Sequence, residues 1–346
     1  MTTDLYSPLS IKGLTLKNRI VMPPMCMYSA RNQDGYSTDW HVMHYASRAI
    51  GGTGLIIIEM TNIEPDGRIS NNCLGLWEDG QIEGLAKIVA ACHTAGAKVA
   101  IQIAHAGRKA TDAITPVSAS AIPFDGASKT PRALSTAEVS DMVNKYAAAV
   151  KRAVKAGVDA IELHGAHGYL IHQFQSALTN KRTDRYGADK ALFGTEVIQA
   201  VKQVMPTEMP LLFRISATEF DANGYRLAES LQLATAYQQA GVDVFHVSAG
   251  GESPTGPSAT IGSDAGYQLG LAAAYKQALT TPVIAVGKLS NPQLANAAIL
   301  NNQADMVAVG RALLRDPYWA LNAADTLNKT IELPKQYVRA FPAATK

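Results

Sequence analysis

The stretch Ala156-Gly157-Val158-Asp159-Ala160-Ile161-Glu162-Leu163 decides the fold. A small residue and a glycine close a helical pattern, because glycine enters the left-handed conformation that ends a helix at no steric cost. An acidic residue then precedes a short apolar run, as expected of a parallel strand buried on both faces. The punctuation recurs at Gly52-Thr53-Gly54 before 55–58, Ala95-Gly96-Ala97-Lys98 before 99–103 and Ala240-Gly241-Val242-Asp243 before 244–247. A glycine-free version, Asn302-Gln303-Ala304-Asp305, precedes 306–309.

Working outward, the runs 19–23, 210–216 and 282–287 fit the same template. Together these make about eight strands, the number a closed (β/α)8 TIM barrel requires. Amphipathic stretches separate them: 38–50, 79–95, 135–155, 191–204, 228–240, 266–280, 291–301 and 316–328. Ser135-Thr136-Ala137-Glu138 has the form of a capping box. A doubly wound open sheet would carry a GxGxxG turn after its first strand, whereas here Pro23-Pro24-Met25 follows it. No linker divides the chain, so residues 1–346 read as a single domain. The proline-containing excursion 111–132 is predicted to cap the barrel mouth, and loop 250–262 to form its rim.

Composition narrows the partners. Hydrophobic residues make up 47% and charged residues 17% of 346, with a net charge of only +2. That balance gives no footing for nucleic acid or a membrane surface. No apolar run approaches the ~20 residues of a membrane helix. Cys26, Cys73 and Cys92 form neither a disulfide framework nor a metal-knuckle spacing. Met1–Ser10 lacks a signal-peptide pattern, so the expected location is the cytoplasm.

In a TIM barrel, chemistry sits at strand C-termini. The last two strands end in Gly287 and Gly310-Arg311. Glycine admits an anion to the backbone and arginine adds a charged fork, which predicts a phosphate-bearing ligand at the usual phosphate site of this fold. His164 and His167 follow the fourth strand, and no carboxylate or thiol in sequence completes a metal set with them. Two imidazoles there can both donate to one oxygen and stabilise it as charge develops. Tyr169 supplies a phenol protonated at neutral pH, suited to an acid role. Cys26 reads either as a small buried hydrophobe or as a nucleophile, with no histidine beside it in sequence.

These motifs give the chain its resemblance. Pro24-Met25-Cys26-Met27-Tyr28, Gln102-Ile103-Ala104-His105-Ala106-Gly107-Arg108, His164-Gly165-Ala166-His167-Gly168-Tyr169, Arg182-Thr183-Asp184-Arg185-Tyr186-Gly187 and Val309-Gly310-Arg311 stand in one order over nearly the whole chain. It resembles the old yellow enzyme family, most closely the bacterial subgroup with a cysteine after the first strand. The resemblance implies an FMN enzyme that takes hydride from NADPH or NADH and reduces the C=C bond of an α,β-unsaturated carbonyl substrate in a ping-pong cycle. It further implies that His164 and His167 bind the carbonyl oxygen, that Tyr169 protonates Cα, and that Tyr28 lines the substrate pocket. By the same resemblance Gln102 and Arg214 hold the flavin ring edge, Pro24, Met25, Cys26 and Met60 lie near the ring, and Ser248, Gly250, Gly287, Gly310 and Arg311 hold the ribityl phosphate end.

The subgroup also implies a homodimer or dimer of dimers, in which the tail 330–346 reaches a neighbouring subunit and Arg339 enters its site. Departures from the family pattern are the shortened segment after Gly187, Met60 in place of a small residue, and Pro23 in place of serine or alanine. The first predicts an altered start to the fourth barrel helix, the second a narrower pocket, the third a stiffer loop. Another FMN barrel dehydrogenase or oxidase, and a flavin-binding module without this activity, are the alternatives.

Overall fold

A computed structural model describes residues 3–256 and 263–340. Strands β1 (Leu9–Ile11) and β2 (Leu14–Leu16) form an antiparallel hairpin; β3 (Ile20–Met22), β4 (Leu55–Asn62) and β5 (Lys98–Ala104) open the barrel. A small pair, β6 (Val117–Ser118) and β7 (Arg132–Ala133), lies outside it. Then β8 (Ala160–Gly165), β9 (Leu211–Ser216), β10 (Val244–Ser248), β11 (Val283–Ala285) and β12 (Met306–Ala308) complete the barrel, which closes where β12 pairs with β3. Every neighbouring pair around the barrel is parallel. The chain is therefore a (β/α)8 TIM barrel, as the punctuation predicts.

The helices are α1 (Asp39–Ile50), α2 (Ile82–Thr94), α3 (Thr136–Lys155), α4 (Leu170–Gln175), α5 (Arg185–Ala188), α6 (Leu192–Val204), α7 (Leu227–Ala240), α8 (Leu269–Ala278), α9 (Pro292–Leu300), α10 (Arg311–Arg315) and α11 (Trp319–Thr326). Gly241 ends α7 at φ +117°, a left-handed cap that prepares the turn into β10. Ser135 closes its box with Glu138 at the start of α3. Predicted 79–95 begins with a 3-10 turn, Asp79–Gln81, and predicted 316–328 shrinks to α11. The hairpin, α4, α5 and α10 escape the sequence reading because each is too short to show a period. After the shortened segment, α6 starts without a side-chain cap at Ala191.

One core lies between barrel and helices. A second fills the barrel: Ile57, Ala100, Ala160, Leu212, Val244 and Ile284 pack against Ile11, Leu14 and Leu16, so the hairpin plugs one end. Two residues further along four of these strands stand Gln102, Glu162, Arg214 and His246. Side chains alternate with period 2, so these four face the interior one layer higher. Apolar filling thus ends midway, and a polar layer floors the mouth. Among the described residues no helix is long and apolar enough to cross a membrane.

Candidate active site

His164 is the next inward residue of β8 above Glu162, in register with Arg214 of β9. The Ala166 N–H donates to its Nδ1 at 3.3 Å, which places the ring proton on Nε2. The chain then reverses through His167 (φ +58°) and Gly168 (φ +73°), both in the left-handed region. A non-glycine residue there is strained and persists only where surroundings hold it. Three anchors hold this turn: Ser216 Oγ accepts the His167 N–H at 3.1 Å, His167 Nε2 meets Ser248 Oγ at 2.7 Å, and Lys109 Nζ donates to the His167 carbonyl at 2.8 Å. Lys109 also donates to the Gly251 carbonyl.

The turn brings three rings together. The His164 ring lies 5.2 Å from that of His167 at 87°, and 4.8 Å from that of Tyr169 at 72°. Burial, reinforced by the Arg214 charge, holds both imidazoles well below the usual histidine range, so both are neutral. Burial pushes the Tyr169 phenol up, so it keeps its proton. Lys109, over the Tyr169 ring at 5.6 Å, is lowered to about 8 by burial. Phe124, from the 111–132 excursion, covers the same ammonium at 4.0 Å.

A cavity of about 520 Å³ opens beside this cluster. Pro24, Met25, Arg214, Ser248, Gly287, Gly310 and Arg311 line it, together with Lys288 and Arg315. Gly287, at φ +123°, abuts Gln268, where an added Cβ would meet the Gln268 Cβ at 3.0 Å. Arg214 is buried and its Nε has no partner, as has Gln268 Oε1. Gln102 reaches the same layer from β5. Cys26, Met60 and Tyr169 meet in a small apolar cluster, in which Met60 is buried. The neighbouring Cys73 thiol, then burial, pushes the Cys26 pKa up. Tyr28 is 49% exposed.

Two sequence-predicted residues stand apart. Gly250 donates its N–H to the Thr218 carbonyl at 2.7 Å and faces Phe220, off the cavity lining. Arg339 is exposed on the tail turn Val338–Ala340, whose neighbours 332–337 lie against Lys17, Gly52 and Gly96 at the opposite end of the barrel. The remaining tail, 341–346, and loop positions 257–262 lie outside the described residues.

Sequence reasoning missed Lys109, Glu162, His246 and Arg315. Signals existed: Glu162 precedes His164 by one strand period, and Arg315 follows Arg311 by one helical turn. The buried group His172, Glu219 and Glu252 has converging ligand atoms. Two of those atoms already have partners: Arg108 Nη2 holds Glu252 Oε1 at 2.8 Å, and the Gly168 N–H occupies His172 Nδ1 at 2.9 Å.

The buried, partnerless guanidinium edge and the ring of cations fit a flat polar ring carrying a phosphate. Comparison with known proteins agrees. Residues 4–330 match the model of the NADH:flavin oxidoreductase / NADH oxidase family. An NADPH dehydrogenase of Clostridium acetobutylicum is 44% identical over 342 residues, 97% of this chain and 99% of the relative. Morphinone reductase superposes with a TM-score of 0.81 at 28% identity, covering 97% of this chain and 92% of that one. A 2-naphthoyl-CoA reductase, of which this chain spans about half (52%), gives 0.87 at 25% identity over 93% of this chain. The chain belongs to the NADH:flavin oxidoreductase / NADH oxidase family, as an FMN-dependent NAD(P)H oxidoreductase of the old yellow enzyme type.

Proposed function

We propose that the chain reduces the C=C bond of α,β-unsaturated carbonyl compounds and related activated alkenes in a ping-pong cycle with NADPH or NADH. The observation that carries this is the cluster in which the neutral His164 imidazole meets both the neutral His167 imidazole and the protonated Tyr169 phenol, beside the cation-lined cavity. FMN, when bound, supplies the hydride chemistry: acceptance from the nicotinamide and return to Cβ of the alkene.

The chain's own residues do the rest. Gln102 and Arg214 hold the ring edge, with Pro24, Met25, Cys26 and Met60 near the ring. Ser248, Gly287, Gly310 and Arg311, joined by Lys288 and Arg315, hold the phosphate end, with Gly250 shaping the adjoining loop. His164 donates its Nε2–H to the substrate carbonyl oxygen. His167 Nε2 is engaged by Ser248, so its donor to that oxygen is Nδ1–H, with the Ser248 hydroxyl donating to Nε2. As negative charge grows on the oxygen both bonds strengthen, which lowers the barrier. Tyr169 then delivers its proton to Cα. Tyr28 lines the open side, and the excursion 111–132 shields the mouth from water.

Arg339 cannot serve its own subunit, because its tail packs at the far end of the barrel. A homodimer or dimer of dimers, with Arg339 entering the neighbour's site, accommodates that placement. Three free thiols suit a reducing compartment, the cytoplasm.

The test is anaerobic. The FMN-loaded protein should bleach with NADPH or NADH and regain its colour with 2-cyclohexenone. In the His164→Ala/His167→Ala double variant, FMN should stay bound and bleach normally, while the enone binds about 10²-fold more weakly for two lost hydrogen bonds. Unchanged enone affinity in that variant would remove the imidazole pair from the mechanism.

A further inference from the structure

Beneath the ring-edge residues lies a buried network that the mechanism above does not use. Glu162 projects from β8 into the barrel and is fully buried. Its Oε1 accepts from Gln102 Nε2 at 2.8 Å, and its Oε2 meets His246 Nδ1 at 2.7 Å. Gln102 is its register partner on β5, and His246 is the register partner of Arg214 on β10. Arg214 is in register with His164, one inward step above Glu162 on β8, so Glu162 reaches up to His246 from the step below and completes the polar layer, in which it is the opposite charge acting on the buried guanidinium.

Donor and acceptor chemistry orders this layer. A carboxylate only accepts, so Gln102 must turn its NH2 to Glu162 and its carbonyl oxygen the other way. His246 Nε2 is buried without a partner, which suits a bare ring nitrogen and not an N–H. Its proton therefore sits on Nδ1, donated to Glu162, and burial keeps the ring neutral. The layer then holds one negative charge, on Glu162, against one positive charge, on Arg214. In a dry interior such a pair acts strongly on anything placed against it.

We propose that Glu162, oriented by His246, is a positioning residue that fixes the Gln102 amide and, by offsetting the Arg214 charge, sets the reduction potential of the bound FMN. The inference rests on the reading of Gln102 and Arg214 as flavin-edge residues. Reduction adds negative charge to the cofactor, so a nearby cation favours the reduced form and a nearby anion opposes it.

The measurement is the potential of FMN in the loaded enzyme, by anaerobic equilibration with an indicator dye, beside FMN affinity and thermal unfolding. Glu162→Gln keeps an acceptor for Gln102 and removes the charge. At a fixed solution poise its ratio of reduced to oxidised FMN should rise about tenfold or more. Arg214→Met should shift the ratio the opposite way. The double variant Glu162→Gln/Arg214→Met should lie above Arg214→Met alone. Because it buries no lone charge, it keeps the question answerable if Glu162→Gln alone fails to fold.

A Glu162→Gln ratio equal to wild type, or a double variant equal to Arg214→Met, overturns the role of Glu162. If Arg214→Met changes neither FMN affinity nor potential, the flavin-edge reading fails and this proposal with it. A loss of thermal stability at unchanged potential marks Glu162 as structural only, and overturns the proposal as well.

Discussion

At the residue scale, protonation state decides what the site can do. His164 keeps its proton on Nε2 because a backbone N–H occupies Nδ1. Ser248 engages His167 Nε2 from the next strand but one, a link invisible in sequence because the two residues are 81 positions apart. Ser248→Ala should raise the KM for the enone several-fold, corresponding to about 1 kcal/mol for one hydrogen bond. An unchanged KM would show that His167 needs no help in choosing its tautomer. Tyr169→Phe should leave bleaching by NADPH intact and slow the alkene step about 10²-fold or more. Stopped-flow separation of the two half-reactions checks this, and equal slowing of both would exclude Tyr169 as the acid. The motif identities were legible in sequence. Lys109, which straps the His167 turn to the Gly251 carbonyl, was not, because a lysine beside an arginine reads as a solvated pair.

At the element scale, the turn between β8 and α4 has little latitude. A Cβ on Gly168 would meet the Gly251 carbonyl oxygen at 2.1 Å, and φ is +73°. Gly168→Ala should destabilise the protein by about 2 kcal/mol or more and disturb the imidazole pair. Thermal unfolding and enone affinity should therefore fall together. The start of α3 offers a contrast. Glu138 Oε2 accepts the Ser135 N–H at 2.8 Å, and Ser135 Oγ accepts the Glu138 N–H at 3.3 Å. Ser135→Ala should cost about 1 kcal/mol with kinetics unchanged, since this cap touches no part of the mouth. A capping box is local and could be read from four letters. The reversal at His167-Gly168 could not, because its three anchors come from two other strands, β9 and β10, and from the turn after a third, β5, which only the barrel makes neighbours.

At the scale of the whole molecule, the barrel stores charges that pH can reach. Glu59, buried on β4, accepts from the Met27 N–H at 2.8 Å and from the Tyr45 hydroxyl at 3.2 Å. Burial pushes its carboxyl from the ordinary 4.5 up to about 8. The folded protein therefore holds a proton that the unfolded chain releases near 4.5. Its contribution is full below that pH and is lost as pH rises through about 8. Glu59→Gln should flatten the decline of the unfolding midpoint between pH 5 and 8; an identical slope would assign that decline to other groups. Assembly is the other molecular question. Arg339→Ala should leave FMN uptake unchanged and weaken enone binding. A chain that stays monomeric at assay concentration would end the role of Arg339.

The alternation of buried runs with glycine-closed helices determined the barrel, because burial on both faces and the left-handed cap are written into neighbouring residues. The strand-end motifs likewise determined which chemistry the mouth could host. Tertiary structure alone decided the polar floor of Gln102, Glu162, Arg214 and His246, and the depth at which apolar filling stops. It also decided that Gly250 faces Phe220 and that Arg339 sits at the far end. These depend on which strands become neighbours and how far each side chain reaches across a closed interior, and a linear sequence fixes neither distance.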